Sequence, residues 1–555
     1  MEARAGLSST QFLAIVFMNI IGSYVSGYDV SNLANIQAPI YEAFGHIELL
    51  SWVSVAYSLA NAATVPVVRK IATMIPLRPL AFVSLLSFVV GATICGAAPS
   101  IRVLIVGRVL NGMGAAGVYQ VNQYYNVSFC KPAELARMQS LVGLCWALGI
   151  ISGPIIGGAF ADNPHATWRW AFYINLPLCA IIFPTLLFIP SLSLAPATTP
   201  LLARLSTFDY AGALLHIASL SLLSITLLFS GSIWPWSSAP TIALWILTTL
   251  VLLAYLTQQS LSLLTTPHNR IMPVHLLTHR TAALTAVGTA ASATTYAVTM
   301  YYSPLFFAFA RGHSPLGAAV RLLPFICVLI VFIVLSGGLL PAARYYAPYY
   351  LAAGALYVVG GALLATAVGT DTDEARVMGF AAILGAATGL TWQTALGVTG
   401  VVLPGVEDRF DAAALQSMAQ LVPVVVSLSI AGCVYQNLGF SVLKEAVGPL
   451  GFGDGEIREA LAGVASRVLR DAGDDGRVVR LAVEGLTRVI TSLFWIVVAM
   501  GVVCFGAACG MRWEALDFKA KGVVVAVADD GNDGSGSGSG SGSEHEKRVG
   551  AVYES

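Results

Sequence analysis

Fourteen stretches of about 20 residues run through this chain with almost no charge inside them. That pattern constrains the fold most, because a helix of ~20 mostly apolar residues spans the hydrocarbon of a bilayer. The stretches lie near 11–33, 49–68, 79–98, 102–126, 138–160, 170–190, 208–230, 240–258, 281–309, 316–338, 345–368, 376–400, 412–436 and 488–510. The second, ninth and thirteenth are the weakest. They are rich in Ala, Ser and Thr, which suits helices that line a cavity. The chain is 57% apolar and only 10% charged, against about a quarter charged in soluble domains. The expected fold class is therefore an all-α polytopic membrane protein of 14 transmembrane helices. A zero net charge and the lack of a basic block argue against nucleic acid as a partner.

Lys and Arg in the short connections set the orientation. With the N-terminus inside, fourteen fall on the cytoplasmic side, and Arg102, Arg169, Arg311 and Arg376 are the four on the other. Both ends are thus expected in the cytoplasm. The runs group as six, two and six. The expected units are a cytoplasmic N-terminus (1–10), a six-helix bundle (11–190), two additional helices with their linkers (191–280) and a second six-helix bundle (281–510). The second bundle carries an extracytoplasmic loop, 437–487, with one or two amphipathic surface helices. A polar tail, 511–555, contains "GSGSGSGSGS" and is expected to be a disordered cytoplasmic segment. The start "MEARAGLSSTQ" and the following "MNIIGSYVSGYDV" do not fit a cleaved signal peptide.

The eight cysteines are scattered, with no CxxC pair, and read as small apolar packing residues. No GxxxxGK[ST], HExxH or GxSxG occurs, and the polar segments are too short for a soluble catalytic domain. A non-enzymatic protein without cofactor or bound metal is expected.

"LIVGRVLNGMGAAG" (104–117), "GLCWALGIISGPIIGGAFAD" (143–162) and "WRWAFYINLPL" (168–178) resemble three successive signatures of the major facilitator superfamily. They are most similar to its fourteen-span drug:proton antiporters. "ANIQ" (34–37), "GATICGAAPS" (91–100) and "RGHSPLGAAVRLLP" (311–324) resemble fungal multidrug and toxin efflux carriers of that group. The resemblance covers about 11–436 and the last span. It implies two six-helix bundles rocking about a midplane site, with two extra helices between them.

Gly149, Gly153 and Gly157 recur at every fourth position, with Pro154 and Gly158 among them. Small residues at that spacing let helix backbones approach closely in lipid, and buried surroundings tolerate the proline. The resemblance assigns this run to an antiporter seal between the two bundles; plain helix packing is the alternative. Intramembrane charges are functional candidates by default. Asp29, late in the first span, and Arg108, early in the fourth, fall at similar depth in the outer half of the bilayer. An ion pair is expected, because an unpaired charge there costs several kcal/mol. The resemblance gives the arginine to proton coupling. Asp29 then exchanges the proton, with Arg108 holding its carboxyl ionised; a pair that only fixes packing is the alternative. Asp209 reads as a helix cap and His216 as a hydrogen-bonded packing residue. Between spans two and three, "VVRKIATMIPLRP" (67–79) lacks the family's usual glycines and aspartate, and leaves Lys70 and Arg78 to gating or to inside anchoring.

Aromatic rings mixed with amides and hydroxyls suit a large, partly polar organic ligand. Tyr119, Gln123, Tyr301, Tyr302, Trp392 and Gln393 are the expected substrate residues. The function expected is efflux of a hydrophobic small molecule (a toxin, secondary metabolite or drug) by proton antiport, from a monomer in the plasma membrane. A vacuolar or vesicular membrane, an importer of iron chelates on the same scaffold, and a non-transporting sensor are the competing readings.

Overall fold

The computed structural model describes residues 7–44, 47–161, 163, 165–193, 200–403, 405–461 and 476–518. The first six residues, the middle of the 437–487 loop and the Gly/Ser tail from 519 onward lie outside them. Fourteen long helical segments dominate. They are α1 (Ser9–Ser31), α2 (Ile47–Ala72), α3 (Leu77–Ala97), α4 (Ile101–Phe129) and α5 (Pro132–Ala161). Next come α6 (Trp170–Phe188, in three short pieces), α7 (Tyr210–Phe229) and α8 (Ala239–Leu261). Then follow α9 (Arg280–Arg311), α10 (Leu323–Ala343), α11 (Ala347–Thr366), α12 (Glu374–Val402), α13 (Val406–Val447) and α14 (Gly476–Cys509, interrupted at Leu493).

Twelve of these are long and apolar enough to cross a membrane. The other two, α2 and α9, have ample length at 26 and 32 residues but carry more Ser, Thr and Asn. Both are packed among their neighbours, α2 against α4 and α9 against α13 and α14. Helix α9 buries Thr281, Thr285, Thr289, Ser292, Thr295 and Thr299 on its way.

Local chemistry sets many of the ends. Ser8 and Gln11 form a capping box at the start of α1, each accepting the other's backbone N–H at 3.2 and 3.0 Å. Ser100 accepts from Val103 N–H and opens α4. Asp209 accepts from Gly212 N–H at 2.8 Å and opens α7. The expected end of the thirteenth span at 436 is corrected: α13 is 42 residues long and ends only at Gly448 and Pro449. Hydropathy drops after 436, but nothing there forbids a helix, and Leu443 and Val447 still bury a face. The loop is correspondingly short. Gly476–Ser492, the first part of α14, overlaps the stretch expected to form an amphipathic surface helix, and it presses Ala482, Leu486, Val489 and Ile490 onto the helices beside it.

Two six-helix groups follow from the packing. In the first, α1 lies on α5 and α6, and α4 on α2 and α3; in the second, α10 lies on α12, α11 on α12 and α14, and α9 on α13 and α14. The groups meet where α5 packs on α10 and α2 on α13, and the α7/α8 pair sits at that seam with α7 against α2 and α13.

Candidate functional site

Three places concentrate polar side chains inside the helices. The first is an ion pair within the first bundle. Arg108 of α4 donates from Nη1 to Asp29 Oδ2 at 2.6 Å, with both side chains at or below 1% exposure. Asn175 of α6 donates to the other carboxylate oxygen at 2.9 Å, and Arg108 Nε donates to the Val53 carbonyl at 3.1 Å. The guanidinium lies 4.4 Å over the Tyr57 ring and 5.8 Å from that of Phe172. The expected partnership is therefore formed, and four helices contribute to its surroundings. Donors divided between a carboxylate and a backbone carbonyl, with an aromatic ring against the guanidinium, are what let an arginine sit in such a place.

The glycine run presses against α1 on the same side of the bundle. A Cβ on Gly149 would lie 2.2 Å from the Tyr24 carbonyl, one on Gly153 2.0 Å from Ser31 Oγ, and one on Gly157 2.9 Å from the Asn32 carbonyl. Gly27 of α1 reciprocates, with its Cβ position 2.0 Å from the Trp146 carbonyl. Bare backbone on both helices brings Tyr28 and Asp29 into the bundle core. Pro154 and Gly158 are half-buried on the same stretch. In this structure Gly149, Gly153 and Gly157 face α1.

The second place lies half-way along the helices, where the bundles meet. Tyr119 of α4 donates to Gln420 Oε1 of α13 at 2.8 Å, and Gln420 donates to the Trp392 carbonyl at 2.7 Å. Gln123 donates to the Tyr119 oxygen at 3.0 Å and exchanges bonds of 3.2 and 2.8 Å with Gln139 of α5. Asn126 extends the amide line to Asn19 at 2.9 Å. On the facing side Trp146 stacks on Trp392 at 5.1 Å and 18°, and Tyr296 of α9 completes the trio at 5.0 and 5.1 Å. Helix α12 is interrupted at Trp392–Gln393, which frees backbone at that depth; such breaks occur in membranes only where protein or a cavity surrounds them. Gln393 is buried beside Gly143 and faces Tyr119.

Four of the six expected substrate residues, Tyr119, Gln123, Trp392 and Gln393, thus meet. Tyr301 and Tyr302 do not. Tyr302 is buried against Tyr435 inside the second bundle, and Tyr301 packs edge-on against the Tyr302 ring at 5.0 Å. Adjacent positions on a helix face about 100° apart, so at most one of the two could have served. Sequence reasoning missed Gln139, Trp146, Tyr296 and Gln420. An amide within an apolar run was the available signal for the two glutamines.

The third place closes the end of the bundle rich in Lys and Arg. Arg69 at the end of α2 holds Asp411 of α13 through Nε and Nη2 at 2.7 and 2.6 Å, and gives Nη1 to the carbonyls of Arg270 and Ile271 at 3.0 and 2.8 Å. Lys70 beside it donates to the His268 carbonyl and to Asn269 Oδ1, at 3.3 and 2.9 Å. One turn of α2 therefore ties together both bundles and the linker that follows α8. Tyr124 and Phe410 meet edge-on across the same seam at 4.9 Å. Arg78 acts elsewhere, donating to the Leu187 carbonyl at 3.1 Å and holding the end of α6. Asp209 receives Gln258, Gln259 and Ile271 N–H besides capping α7, so it anchors the same linker. His216 bonds Tyr255 at 3.1 Å and is buried, as a packing histidine would be.

Two helical bundles around a polar centre, closed at one end by a paired charge, define a membrane transporter. The chain belongs to the Major Facilitator Superfamily, whose model matches residues 12–427. It is 32% identical over 515 residues to the efflux pump patC of Aspergillus clavatus, covering 92% of this chain and 93% of that one. It is 33% identical over 507 residues to the MFS-type transporter pgmG of Aspergillus terreus, covering 90% and 89%. Among solved structures, an inward-facing bacterial homologue of the human lysosomal transporter Spinster aligns with a TM-score of 0.54 at 13% identity, covering 91% of this chain and 98% of that one. The proton:xylose symporter XylE aligns at 0.52 and 14%, covering 90% and 95%. At those identities the two structures speak for the fold alone.

Proposed function

We propose that this transporter exports uncharged, ring-bearing hydrophobic small molecules in exchange for protons. All fourteen long helices then cross the bilayer, both chain ends lie in the cytoplasm, and a monomer in the plasma membrane does the work. The observation that carries the substrate reading is the centre itself: hydrogen-bonding amides and a phenol on one side, a stacked tryptophan pair and a tyrosine on the other. Flat aromatic or conjugated ligands bind by stacking and bring a few carbonyl or hydroxyl groups for the amides. Relatives named as efflux pumps support the direction of transport.

Proton coupling is supported by the buried pair. When Asp29 takes up a proton, Arg108 is left charged without its counter-ion, because a guanidinium does not deprotonate. That state costs several kcal/mol in a dry interior and drives the bundles toward an arrangement that hydrates or re-pairs the arginine. Lys70 and Arg69 hold the cytoplasmic end shut meanwhile, and the glycine run lets α1 and α5 slide. The test is accumulation of a panel of uncharged aromatic compounds in cells with and without the gene. Export predicts lower accumulation that a protonophore restores. Accumulation raised by the gene would establish import, and no difference across the panel would end the transport reading of this centre.

A further inference from the structure

His216 of α7 is 4% exposed. Its Nδ1 lies 3.1 Å from the Tyr255 hydroxyl of α8, while its Nε2 is buried with no hydrogen-bond partner among the described residues. The backbone group that the imidazole faces is the Ala62 carbonyl of α2. In a regular helix that carbonyl accepts from the N–H four residues on. Position 66 is Pro66, inside α2, and a proline has no N–H to give. Ala62 is fully buried, packed with Leu220 of α7 and Val425 of α13. A buried carbonyl without its helix donor needs another. The tautomer of His216 follows from its partners. The other neighbour of the Tyr255 hydroxyl is Met272 Sδ at 3.9 Å, a weak acceptor, so the hydroxyl donates best to Nδ1. The ring hydrogen then sits on Nε2, on a nitrogen that has no acceptor on its own helix pair.

We propose that His216 is a positioning residue of the closed cytoplasmic end: its Nε2–H serves the Ala62 carbonyl, fixes α2 at Pro66 and so aims Arg69 at Asp411. The inference rests on the transport reading above, in which that clamp opens and closes. Prolines are where helices bend, and Pro66 stands one turn before Arg69 and Lys70. Those two residues tie α2 to Asp411 of α13 and to Asn269 of the linker behind α8. The linker and α7 are themselves joined, since Asp209 caps α7 and accepts from Ile271 N–H. The α7/α8 pair therefore reaches α2 on both sides of the proline, through His216 before it and through the linker after it. That gives the two additional helices a part in the cycle. They hold the gating helix at the one point where its own hydrogen bonding is broken.

The experiment uses the full-length protein in detergent and needs no substrate. Nuclear magnetic resonance of protein labelled with nitrogen-15 in histidine reads the ring, with His216 assigned from His216→Gln. Hydrogen on Nε2 is expected, and its absence there overturns the bond. In Pro66→Ala the helix supplies its own donor to Ala62, so the Nε2–H proton should move upfield; an unmoved signal also overturns the bond. Spin labels at the exposed positions Arg137 on α5 and Tyr345 beside α10 read the clamp. His216→Phe keeps a ring and loses both nitrogens. It should raise the open fraction about threefold to tenfold, the worth of one neutral hydrogen bond. His216→Gln keeps an N–H donor and should hold the parent distribution. In the Pro66→Ala background His216→Phe should change nothing further. Equal shifts from phenylalanine and glutamine, or an equal phenylalanine effect with and without Pro66, overturn the positioning role. If the phenylalanine variant does not fold, the proton shift in Pro66→Ala decides. Labels that do not move in Arg69→Gln bring down the clamp reading itself, whatever the imidazole shows.

Discussion

At the scale of single residues, Asp29 and Arg108 are not equivalent halves of one bond. Removing the arginine leaves a carboxylate, which can escape its penalty by binding a proton. Removing the carboxylate leaves a guanidinium, which cannot shed its charge. Asp29→Asn should therefore lower thermal stability more than Arg108→Gln, by up to about 3–5 kcal/mol, softened by the Tyr57 ring 4.4 Å away. The double variant should recover much of the loss, since no lone charge remains, yet stay inactive in proton-driven transport. Melting curves of the three purified proteins check the order; a costlier arginine variant would contradict it. The pair was legible in the sequence because two charges at equal depth in antiparallel spans have few other partners. Asn175, which completes the carboxylate's bonds, was not, because an asparagine near a helix end carries no comparable signal.

Among the elements, close backbone approach decides which helices can move past one another. Gly337 and Gly338 are neighbours on α10 with opposite surroundings. A Cβ on Gly337 would sit 1.7 Å from Ser140 Oγ and 2.7 Å from the Ala136 carbonyl of α5, whereas one on Gly338 would meet nothing within 4 Å. Gly337→Ala should keep the bundles from closing at this seam and cost ~1–3 kcal/mol in the closed state. Gly338→Ala should be neutral or stabilise by up to about 1 kcal/mol through helix propensity. Melting temperatures of both variants test the contrast, and equal effects would remove the close contact from the account. Hydropathy located most of the long helices because a run of ~20 apolar residues is its own signal, while α2 and α9 gave the weaker signal that their polar residues leave. It could not find the break in α12. "GLTWQTALG" has no proline, and Thr391 and Thr394 bond back to carbonyls of their own helix, a habit that bends helices without changing their composition. Nor could it find the extra length of α13, since hydropathy measures apolarity and not helix continuity.

For the whole molecule the decisive feature is that one arginine spans three units. Charges at span ends are common, and orientation rules alone account for Arg69, so its partner Asp411, 342 residues away, could not be read from the chain. The clamp combines a two-pronged carboxylate bond with two carbonyl acceptors on the linker, and its side chains are only 7% and 15% exposed. Breaking a largely buried pair costs roughly 3–5 kcal/mol, and each 1.4 kcal/mol is tenfold in an equilibrium. Arg69→Gln should thus shift the closed–open balance of the basic end by about a hundredfold or more toward open. Spin labels at the exposed positions Arg137 on α5 and Tyr345 beside α10 would read this as a longer distance distribution. The exchange Arg69→Asp with Asp411→Arg restores the charge pair but moves the guanidinium to α13, away from the Arg270 and Ile271 carbonyls it now holds. It should recover the short distance only in part, leaving the linker loose. Full recovery would mean that the bundles alone form the gate and that the α7/α8 pair rides passively beside it. No recovery, with Arg69→Gln itself unchanged from the parent protein, would remove this clamp from the transport cycle.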